Sequence, residues 1–349
     1  MSEWPDNTKE VGERHRFDEA ALLAWWRASL GPARSLTVRK FRGGQSNPTF
    51  WIGDGDRGWV LRKKPPGKLL PSAHAVEREH RVMAALADTD VPVPRVSELC
   101  EDPGVIGTPF FVMEHVVGRI LWNVQLPDAA PGERVAVYAE LARVLAALHG
   151  VDVEAAGLGD YGRRGGYVAR QVKRWSEQYA RSTTQDVPSM DRLMAHLAAN
   201  VPVNDETTLA HGDYRLDNLI FHPEEPRALA LIDWELSTLG HPLADLAYTC
   251  MLYDVQLPKI GGLLGVDFAA TGIPTEAAFV KAYEEASGRR VSSDDWAYFK
   301  AFGLFRLAAI AQGVYKRSLD GNASDPQAAM FGAAVPHLST IAVRLLGLR

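Results

Sequence analysis

The chain has 349 residues, of which 46% are apolar and 23% are charged. This composition is typical of globular proteins, and the length is sufficient for one large domain or two lobes. Its formal net charge of -5 gives no global reason to expect nucleic acid or an anionic membrane as a partner. Two cysteines, neither in a CxxC pair, are too few for a disulfide framework and favour a reducing compartment. With a polar start and no uninterrupted apolar run of spanning length, the sequence predicts a cytoplasmic protein.

The predicted elements change character once along the chain. A helix over 17–30 comes first, and strand-like segments between 36 and 63 form a short antiparallel meander. A helix over 72–87 and an apolar strand that ends at Gly118 follow. Beyond this strand the predicted elements are mainly helices, over 131–149, 164–181, 189–200, 241–253, 275–287 and 293–318.

This change in character predicts an α+β fold with two lobes. Residues 1–115 are expected to form a small N-lobe around a five-stranded antiparallel sheet, preceded by the first helix. Residues 116–349 are expected to form a larger and mostly helical C-lobe. A cleft between two such lobes is a common place for a ligand site, and the polar motifs of this chain fall in both halves.

The densest polar motif is HGDYRLDN, residues 211–218, which has the spacing H-x-D-x-x-x-x-N. The apolar segment ALALI, of buried-strand type, leads directly to Asp233. Phosphoryl transfer needs a carboxylate that deprotonates the accepting hydroxyl, and oxygen ligands that hold Mg²⁺. Asp213 suits the first task, and Asn218 and Asp233 suit the second. His211 is expected to brace the loop by hydrogen bonding.

The first half of the chain contains a candidate cation for nucleotide phosphates and a carboxylate to hold it. In the strand WVLRK, alternation places Lys63 on the face with the apolar residues and Arg62 on the more polar face. In the next helix Glu79 falls within the apolar stripe, where an unpaired carboxylate is expensive. The sequence therefore predicts an ion pair between Glu79 and Lys63, with Arg62 solvated. The alternative left open is that Glu79 lies at the edge of the stripe and reaches water.

Two further segments are candidates for nucleotide binding. The first is a Gly-rich turn whose main chain could cover phosphates, formed by Gly43, Gly44, Gln45, Ser46 and Asn47. The second follows an apolar strand and could hydrogen-bond an adenine edge through its main chain, at Glu114, His115 and Val116. A plain hairpin turn and a plain linker are the alternatives. Neither a P-loop nor a G-x-G-x-x-G fingerprint occurs in the chain.

Together, the motifs VLRK, VEREH, HGDYRLDN and LIDWE resemble the aminoglycoside phosphotransferase and choline kinase family of the protein-kinase-like fold. The text around them, over roughly residues 35–330, is similar to the kinase-like segment at the front of some multidomain acyl-CoA dehydrogenases. The resemblance implies ATP and Mg²⁺ as cofactors and a small-molecule hydroxyl as acceptor. It implies as catalytic residues Asp213, Lys63 and Glu79, and as metal ligands Asn218 and Asp233. Asp245 would tie the catalytic loop to a helix.

Two departures from the better-known protein kinases bear on regulation. Gly212 stands where those enzymes often carry arginine, and Trp234 and Glu235 replace the Phe-Gly pair after the metal-binding aspartate. Both differences point to a constitutively assembled small-molecule kinase rather than to one that is switched by activation-loop phosphorylation.

The predicted helix over 164–181 carries a basic face that bears on the acceptor. Its cations, with two that precede the helix, are Arg163, Arg164, Arg170, Lys173, Arg174 and Arg181. Such a face would repel an aminoglycoside and attract an anionic acceptor such as a hydroxyacyl-CoA ester. An ordinary solvated face, with Glu177 paired to Arg181, is the alternative.

Three alternatives to this kinase remain open at the level of sequence. The chain could be an aminoglycoside-type antibiotic kinase, or a kinase relative that binds nucleotide without turnover. It could also be a metal-dependent hydrolase with ligands drawn from His211, Asp213, Asp217, His222 and Asp233, although no H-E-x-x-H pair is present. The sequence predicts no nucleic-acid or membrane partner and assigns no oligomeric state.

Overall fold

The structure is a computed structural model that describes residues 4–42, 47–55, 57–65, 74–257, 261–321 and 327–348. It consists of two compact units. The first comprises Met1–Arg119 and Leu229–Glu235, and the second comprises Ile120–Ala228 and Leu236–Arg349.

Antiparallel strands and helices together make up the α+β fold that the sequence predicts. The strands are β1 Thr8–Lys9, β2 Thr37–Phe41, β3 Thr49–Gly53, β4 Gly58–Lys63, β5 Val96–Cys100, β6 Phe110–Glu114, β7 Arg119–Ile120, β8 Thr208–Ala210, β9 Leu219–Phe221, β10 Ala228–Leu231 and β11 Thr238–Gly240. The helices are α1 Glu19–Ser29, α2 Val76–Leu86, α3 Pro103–Ile106, α4 Pro131–His149, α5 Tyr167–Ser182, α6 Pro188–Ala199, α7 Pro242–Cys250, α8 Phe268–Thr271, α9 Glu276–Ser287, α10 Ser293–Leu319 and α11 Phe331–Leu345.

The first unit is built on an antiparallel sheet. Among the described residues the sheet has six strands in the order β1-β2-β3-β4-β6-β5, where the sequence predicts five. The additional strand is β1, whose two residues pair with Phe41 and Lys40 of β2. Two residues are too short for apolar and polar alternation to be recognised in a sequence.

Helices cover both faces of this sheet. Leu22 and Trp26 of α1 belong to one buried apolar cluster with Leu61 of β4. Helix α2 contacts β5 and β6, and its His80 packs edge-on against Phe111, with ring centroids 5.9 Å apart. Side chains alternate along a strand, so successive residues of β4 point in turn to α1 and to α2.

The second unit is mostly helical, with α10 packed against α5, α7 and α11. Phe299, Phe302 and Phe305 of α10 are almost completely buried. The short strands β8 and β11 pair antiparallel, with Leu209 opposite Leu239. The residues that follow β8 form the predicted catalytic loop, and this strand pair therefore fixes where the loop begins.

One segment in the described part of the chain, Ala328–Leu345, is long and apolar enough to cross a membrane, with a mean hydropathy of 1.3. Its Val335 and Leu338 are buried. Its Ser339 hydroxyl lies 2.7 Å from the hydroxyl of Ser189 in α6. The segment therefore packs one side against the second unit, and 39% of it is buried.

Candidate active site

The predicted base and one predicted metal ligand lie together in the loop after β8. The Asn218 amide nitrogen donates to the Asp213 main-chain oxygen at 2.8 Å and to its carboxylate at 3.2 Å. Both residues are partly or largely buried. The amide oxygen of Asn218 makes no hydrogen bond among the residues that the structure describes. That oxygen is the type of ligand atom that Mg²⁺ prefers.

The backbone of this loop is fixed to α7 by Asp245. Its carboxylate accepts the N–H groups of His211 at 2.6 Å and of Gly212 at 2.9 Å, as the family resemblance implies. The imidazole Nδ1 of His211 accepts the Asp213 N–H at 3.3 Å, which confirms the bracing role predicted for His211. The main chain of the loop that carries Asp213 is therefore held by hydrogen bonds to the side chains of Asp245 and His211.

Gly212 is required by this backbone geometry. Its φ is +81°, a left-handed conformation that favours glycine. A Cβ atom at this position would lie 2.6 Å from the main-chain oxygen of Leu236. The absence of the arginine that protein kinases often carry here therefore has a steric cause.

Asp245 is completely buried, and its neighbours keep it ionised. Burial alone would raise its pKa, but the imidazole of His149 and the N–H of Gly212 hold the pKa below its ordinary value of 3.8. Burial lowers the pKa of His149, a shift that favours the neutral imidazole. Its Nε2 lies 3.6 Å from Asp245, and the main-chain donors are the closer partners of the carboxylate.

Replacing Asp245 with asparagine is expected to lower the free energy of unfolding by about 2–3 kcal/mol at neutral pH, because a buried charged acceptor is lost. The pKa of Asp245 is lower in the folded chain than in the unfolded chain. The ionised carboxylate therefore adds its full share to the free energy of unfolding above the ordinary pKa, and this share disappears as the pH falls through the pKa of the folded chain. Urea unfolding of the wild type and the variant from neutral pH downward measures this. Asp191→Asn serves as the control because Asp191 is exposed. If the wild type stayed more stable than Asp245→Asn in acid, the stabilising role of the ionised Asp245 would be contradicted.

Three residues around the loop were not identified from the sequence. Arg215 Nε lies 3.5 Å from the Asp213 carboxylate. Burial, followed by the charge of Asp213, raises the pKa of Tyr248 to about 12. Arg306, which is 5% exposed, donates from Nη2 to the main-chain oxygen of Gly212. Helical periodicity could have shown that Tyr248 and Arg306 lie on buried faces, but not that those faces meet this loop.

In the first unit Glu79 is buried and paired, as predicted. It is 1% exposed, which excludes the alternative that it reaches water. Its Oε2 lies 2.8 Å from Nε of Arg62, and its Oε1 accepts the amide of Asn47 at 2.6 Å. Burial raises the pKa of Glu79, and Arg62 and Asn47 act in the opposite direction.

The predicted pairing of Glu79 with Lys63 is wrong. The Lys63 ammonium donates to the main-chain oxygen of Ile106 at 3.2 Å and lies 4.9 Å from the ring centroid of Phe17. The alternation along β4 is as predicted, but both faces of the sheet are buried, and the face that carries Leu61 and Lys63 points to α1. Glu79 belongs to α2, on the opposite face. Arg62, which was expected to be solvated, is 9% exposed and makes the ion pair with Glu79 that was predicted for Lys63.

Arg62 also contacts the predicted metal ligand. Its Nη2 lies 2.7 Å from Oδ1 of Asp233, which belongs to the same unit. Burial alone would lower the pKa of Arg62, but the carboxylates of Glu79 and Asp233 outweigh it and raise the pKa. Asp233 has a φ of +69°, a conformation that aspartate adopts more readily than most residues. One arginine therefore joins the α2 carboxylate to the carboxylate that follows β10.

The predicted phosphate-covering turn lies mostly outside the described residues, which exclude Gly43, Gly44, Gln45 and Ser46. Asn47 is described and has a partner other than the predicted one. It is completely buried, and its amide supports Glu79.

The second candidate segment for nucleotide binding keeps part of its main chain available. The Glu114 N–H donates to the main-chain oxygen of Arg95 at 2.9 Å. In the described part of the chain, the main-chain groups of His115 and Val116 make no hydrogen bond. These two residues, rather than Glu114, therefore remain candidates for the contact with an adenine edge.

The basic face of α5 is largely a surface feature. Its apolar side is buried as predicted, through Val168, Val172, Trp175 and Tyr179. The cations that are exposed are Arg163, Arg164, Lys173, Arg174 and Arg181. Arg170 instead donates to the main-chain oxygens of Gly165 and Arg163.

The described residues contain no group of three or more His, Cys, Asp or Glu side chains that could hold a metal ion. The hydrolase alternative needs such a group. It required His211, Asp213, Asp217, His222 and Asp233. In the second unit Asp217 lies 3.1 Å from Arg215, and the His222 Nδ1 accepts main-chain N–H groups of Glu224 and Glu225. The structure therefore gives this alternative no support.

Known proteins share both the sequence and the fold of this chain. The profile of the phosphotransferase enzyme family matches residues 37–302. Acyl-CoA dehydrogenase family member 10 of Mus musculus is 44% identical over 340 residues, which cover 96% of this chain and 32% of that protein. Family member 11 of Homo sapiens is 42% identical over 344 residues, which cover 96% of this chain and 44% of that protein. The chain thus spans less than half the length of these curated relatives.

Two solved structures extend the comparison. A candidate aminoglycoside phosphotransferase from Ralstonia eutropha JMP134 is 48% identical, with a TM-score of 0.87 over 95% of this chain and 99% of that chain. A thermostable mutant of APH(4)-Ia, solved with AMP-PNP and hygromycin B, is 16% identical, with a TM-score of 0.60 over 93% and 98% of the two chains. At that identity the second structure supports the fold alone. The chain belongs to the phosphotransferase enzyme family and has its protein-kinase-like fold, which confirms the sequence-based identification of a small-molecule kinase.

Proposed function

We propose that the chain transfers the γ-phosphoryl group of ATP, with Mg²⁺, to a hydroxyl of an anionic small molecule such as a hydroxyacyl-CoA. The observation that carries the phosphotransfer is the loop in which Asp213 and Asn218 are hydrogen-bonded and whose backbone is bound by Asp245. A carboxylate held in this way can orient and deprotonate an acceptor hydroxyl.

Asp213 would accept the hydroxyl proton while the hydroxyl oxygen forms a bond to the γ-phosphorus. The bond between that phosphorus and the bridging oxygen breaks, and ADP leaves with the electron pair. Asn218 contributes twice, because its amide nitrogen holds the Asp213 carboxylate and its oxygen remains for a cation. The chain's task in this step is positioning, since phosphoryl transfer needs little covalent chemistry from a protein.

Two of the predicted site residues offer oxygen atoms that suit Mg²⁺. These are the carboxylate of Asp233 and the amide oxygen of Asn218. When bound, Mg²⁺ neutralises charge on the phosphates. In the first unit Arg62, fixed by Glu79, is the cation for the phosphates, and its planar guanidinium suits phosphate oxygens.

The acceptor class is proposed from charge. The exposed basic face of α5 would attract an anionic acceptor and repel a polycationic antibiotic. The names of two long curated relatives contain the words acyl-CoA dehydrogenase, and acyl-CoA esters are anionic, which supports the choice of this acceptor class. A hydroxyacyl-CoA satisfies both observations.

The charge of this face can be tested directly. We expect Lys173→Glu combined with Arg174→Glu to raise the KM for an anionic acceptor by about tenfold at low salt, since two exposed charges are worth roughly 1–2 kcal/mol when reversed. The effect should shrink as salt is added. Arg290→Glu is the matched control, because its side chain is 91% exposed and lies outside α5. Equal KM values for the double variant and the control would contradict the role of this face.

A product screen tests the function itself. The purified chain is incubated with ATP, Mg²⁺ and hydroxyacyl-CoA esters, free hydroxy acids, choline or aminoglycosides, and products are identified by mass spectrometry. Phosphorylation of a hydroxyacyl-CoA that Asp213→Asn abolishes would support the proposal. Phosphorylation of aminoglycosides alone would contradict the acceptor class. ATP binding without phosphorylation of any acceptor would indicate a relative that has lost turnover.

A further inference from the structure

Arg306 is a buried cation that the proposed chemistry does not use directly. It lies on α10 and is 5% exposed. No ion pair of Arg306 is found in the part of the chain that the structure describes, and its Nε has no hydrogen-bond partner there. A buried charge without a carboxylate is costly, and its retention needs a reason.

The contacts of Arg306 converge on the catalytic loop. Its Nη2 donates to the main-chain oxygen of Gly212. Its guanidinium carbon lies 4.6 Å from the ring centroid of Tyr248 and 5.5 Å from that of Trp175, where cation–π attraction offsets part of the cost of burial. Burial and the charge of Asp213 raise the pKa of Tyr248, so this ring lies close to the base. Arg306 therefore donates to the main chain beside the base and packs against a ring that is close to it.

The hydrogen bond to Gly212 fixes the peptide plane that precedes Asp213. The oxygen of this peptide accepts from Arg306, and its N–H, which belongs to Asp213, donates to His211 Nδ1 at 3.3 Å. The preceding peptide is held by Asp245. Because Gly212 has a φ of +81° and no side chain to restrict it, this peptide needs external partners to keep one orientation.

We propose that Arg306 is a positioning residue for phosphoryl transfer: it fixes the Gly212–Asp213 peptide and so aims the Asp213 carboxylate at the acceptor hydroxyl. The proposal rests on the proposed function for its kinetic consequence. Its structural consequence, the order of the loop, is independent of that function.

The variants test the role of the Arg306 guanidinium. Arg306→Ala removes the donor and leaves a space that free guanidinium can occupy. Arg306→Lys keeps a charge but has a single donor nitrogen of different shape. Arg134→Ala is the matched control, because Arg134 also donates to main-chain oxygens, those of Leu126 and Thr271, and belongs to α4.

For Arg306→Ala we expect kcat for the acceptor found in the screen, or for ATP hydrolysis by water, to fall by about 100-fold. The KM for ATP should stay within about twofold of the wild-type value, because the substitution removes no contact that binds ATP equally in the ground state and in the transition state. Guanidinium chloride at tens of millimolar should restore part of kcat, whereas sodium chloride should not. Arg306→Lys should lie between the wild type and the alanine variant, and Arg134→Ala should show neither the loss nor the rescue.

Hydrogen exchange of the peptide over 209–221, measured by mass spectrometry, separates this proposal from the proposed function. Faster exchange in Arg306→Ala that free guanidinium reverses would support the positioning role even if the wild type turned over no substrate. A folded Arg306→Ala with wild-type loop exchange would overturn the proposal, as would wild-type kcat. If Arg306→Ala does not fold, Arg306→Lys decides by the same two measurements, and wild-type exchange and kcat in that variant would overturn it.

Discussion

Replacing Arg62 with methionine should abolish magnesium-dependent ATP binding, whereas the same substitution at Lys63 should leave most of it intact. The two residues are neighbours on β4, and both are largely buried. Only Arg62 contacts Glu79 and Asp233. Lys63 donates to a main-chain oxygen on the side of the sheet that faces α1.

The expected effect of Arg62→Met has two parts. The nucleotide phosphates lose their cation, and Glu79 is left as an uncompensated buried carboxylate. The second part should lower the free energy of unfolding by about 3–5 kcal/mol. Lys63→Met leaves no carboxylate behind, so its cost should be about 1 kcal/mol, near that of one hydrogen bond.

A double variant separates stability from binding. Arg62→Met combined with Glu79→Leu removes both charges, and replacing a buried ion pair with apolar side chains is often neutral for stability. We expect the double variant to recover most of the unfolding free energy lost in Arg62→Met, but not ATP binding. Arg62→Lys should bind ATP more weakly than the wild type but more tightly than Arg62→Met, because one ammonium cannot match the two contacts of a guanidinium.

Isothermal titration with ATP and Mg²⁺, together with urea unfolding, provides both measurements for each variant. Loss of ATP binding in Lys63→Met, with retention in the double variant, would restore the original assignment of Lys63 and contradict that of Arg62.

The error over Lys63 shows what strand alternation can and cannot predict. The sequence correctly separates Arg62 from Lys63 and correctly buries Glu79. It cannot show which face of β4 meets α2, because α1 covers the other face and the apolar side chains of β4 pack there. The rule that an apolar face is the buried face fails for a sheet with helices on both sides.

The catalytic loop was more predictable because its geometry is local. His211, Asp213 and Asn218 lie within eight residues, and their hydrogen bonds join neighbours in sequence. Tyr248 and Arg306 reach the same loop from α7 and α10, and helical periodicity reports only that such positions are buried. Contacts of this kind depend on how helices pack, which the sequence pattern does not specify.

Asp213→Asn should lower kcat by about 10²–10⁴-fold, the usual contribution of a general base, and leave ATP affinity within about twofold. Asparagine keeps the shape of the side chain and can still accept a hydrogen bond from Asn218. It cannot take the proton of the acceptor hydroxyl. The loss should therefore appear in kcat and not in binding.

Asp217→Asn is the control, because Asp217 is a carboxylate of the same loop that pairs with Arg215 and is not the proposed base. The acceptor identified in the product screen, ATP and Mg²⁺ are used for steady-state kinetics, and calorimetry measures ATP affinity. If Asp217→Asn lost as much kcat as Asp213→Asn, the two carboxylates would share a structural role in the loop. If Asp213→Asn kept more than about a tenth of the wild-type kcat, which is well above the range expected for a lost base, Asp213 would not be the base, and the loop would serve another step of the reaction.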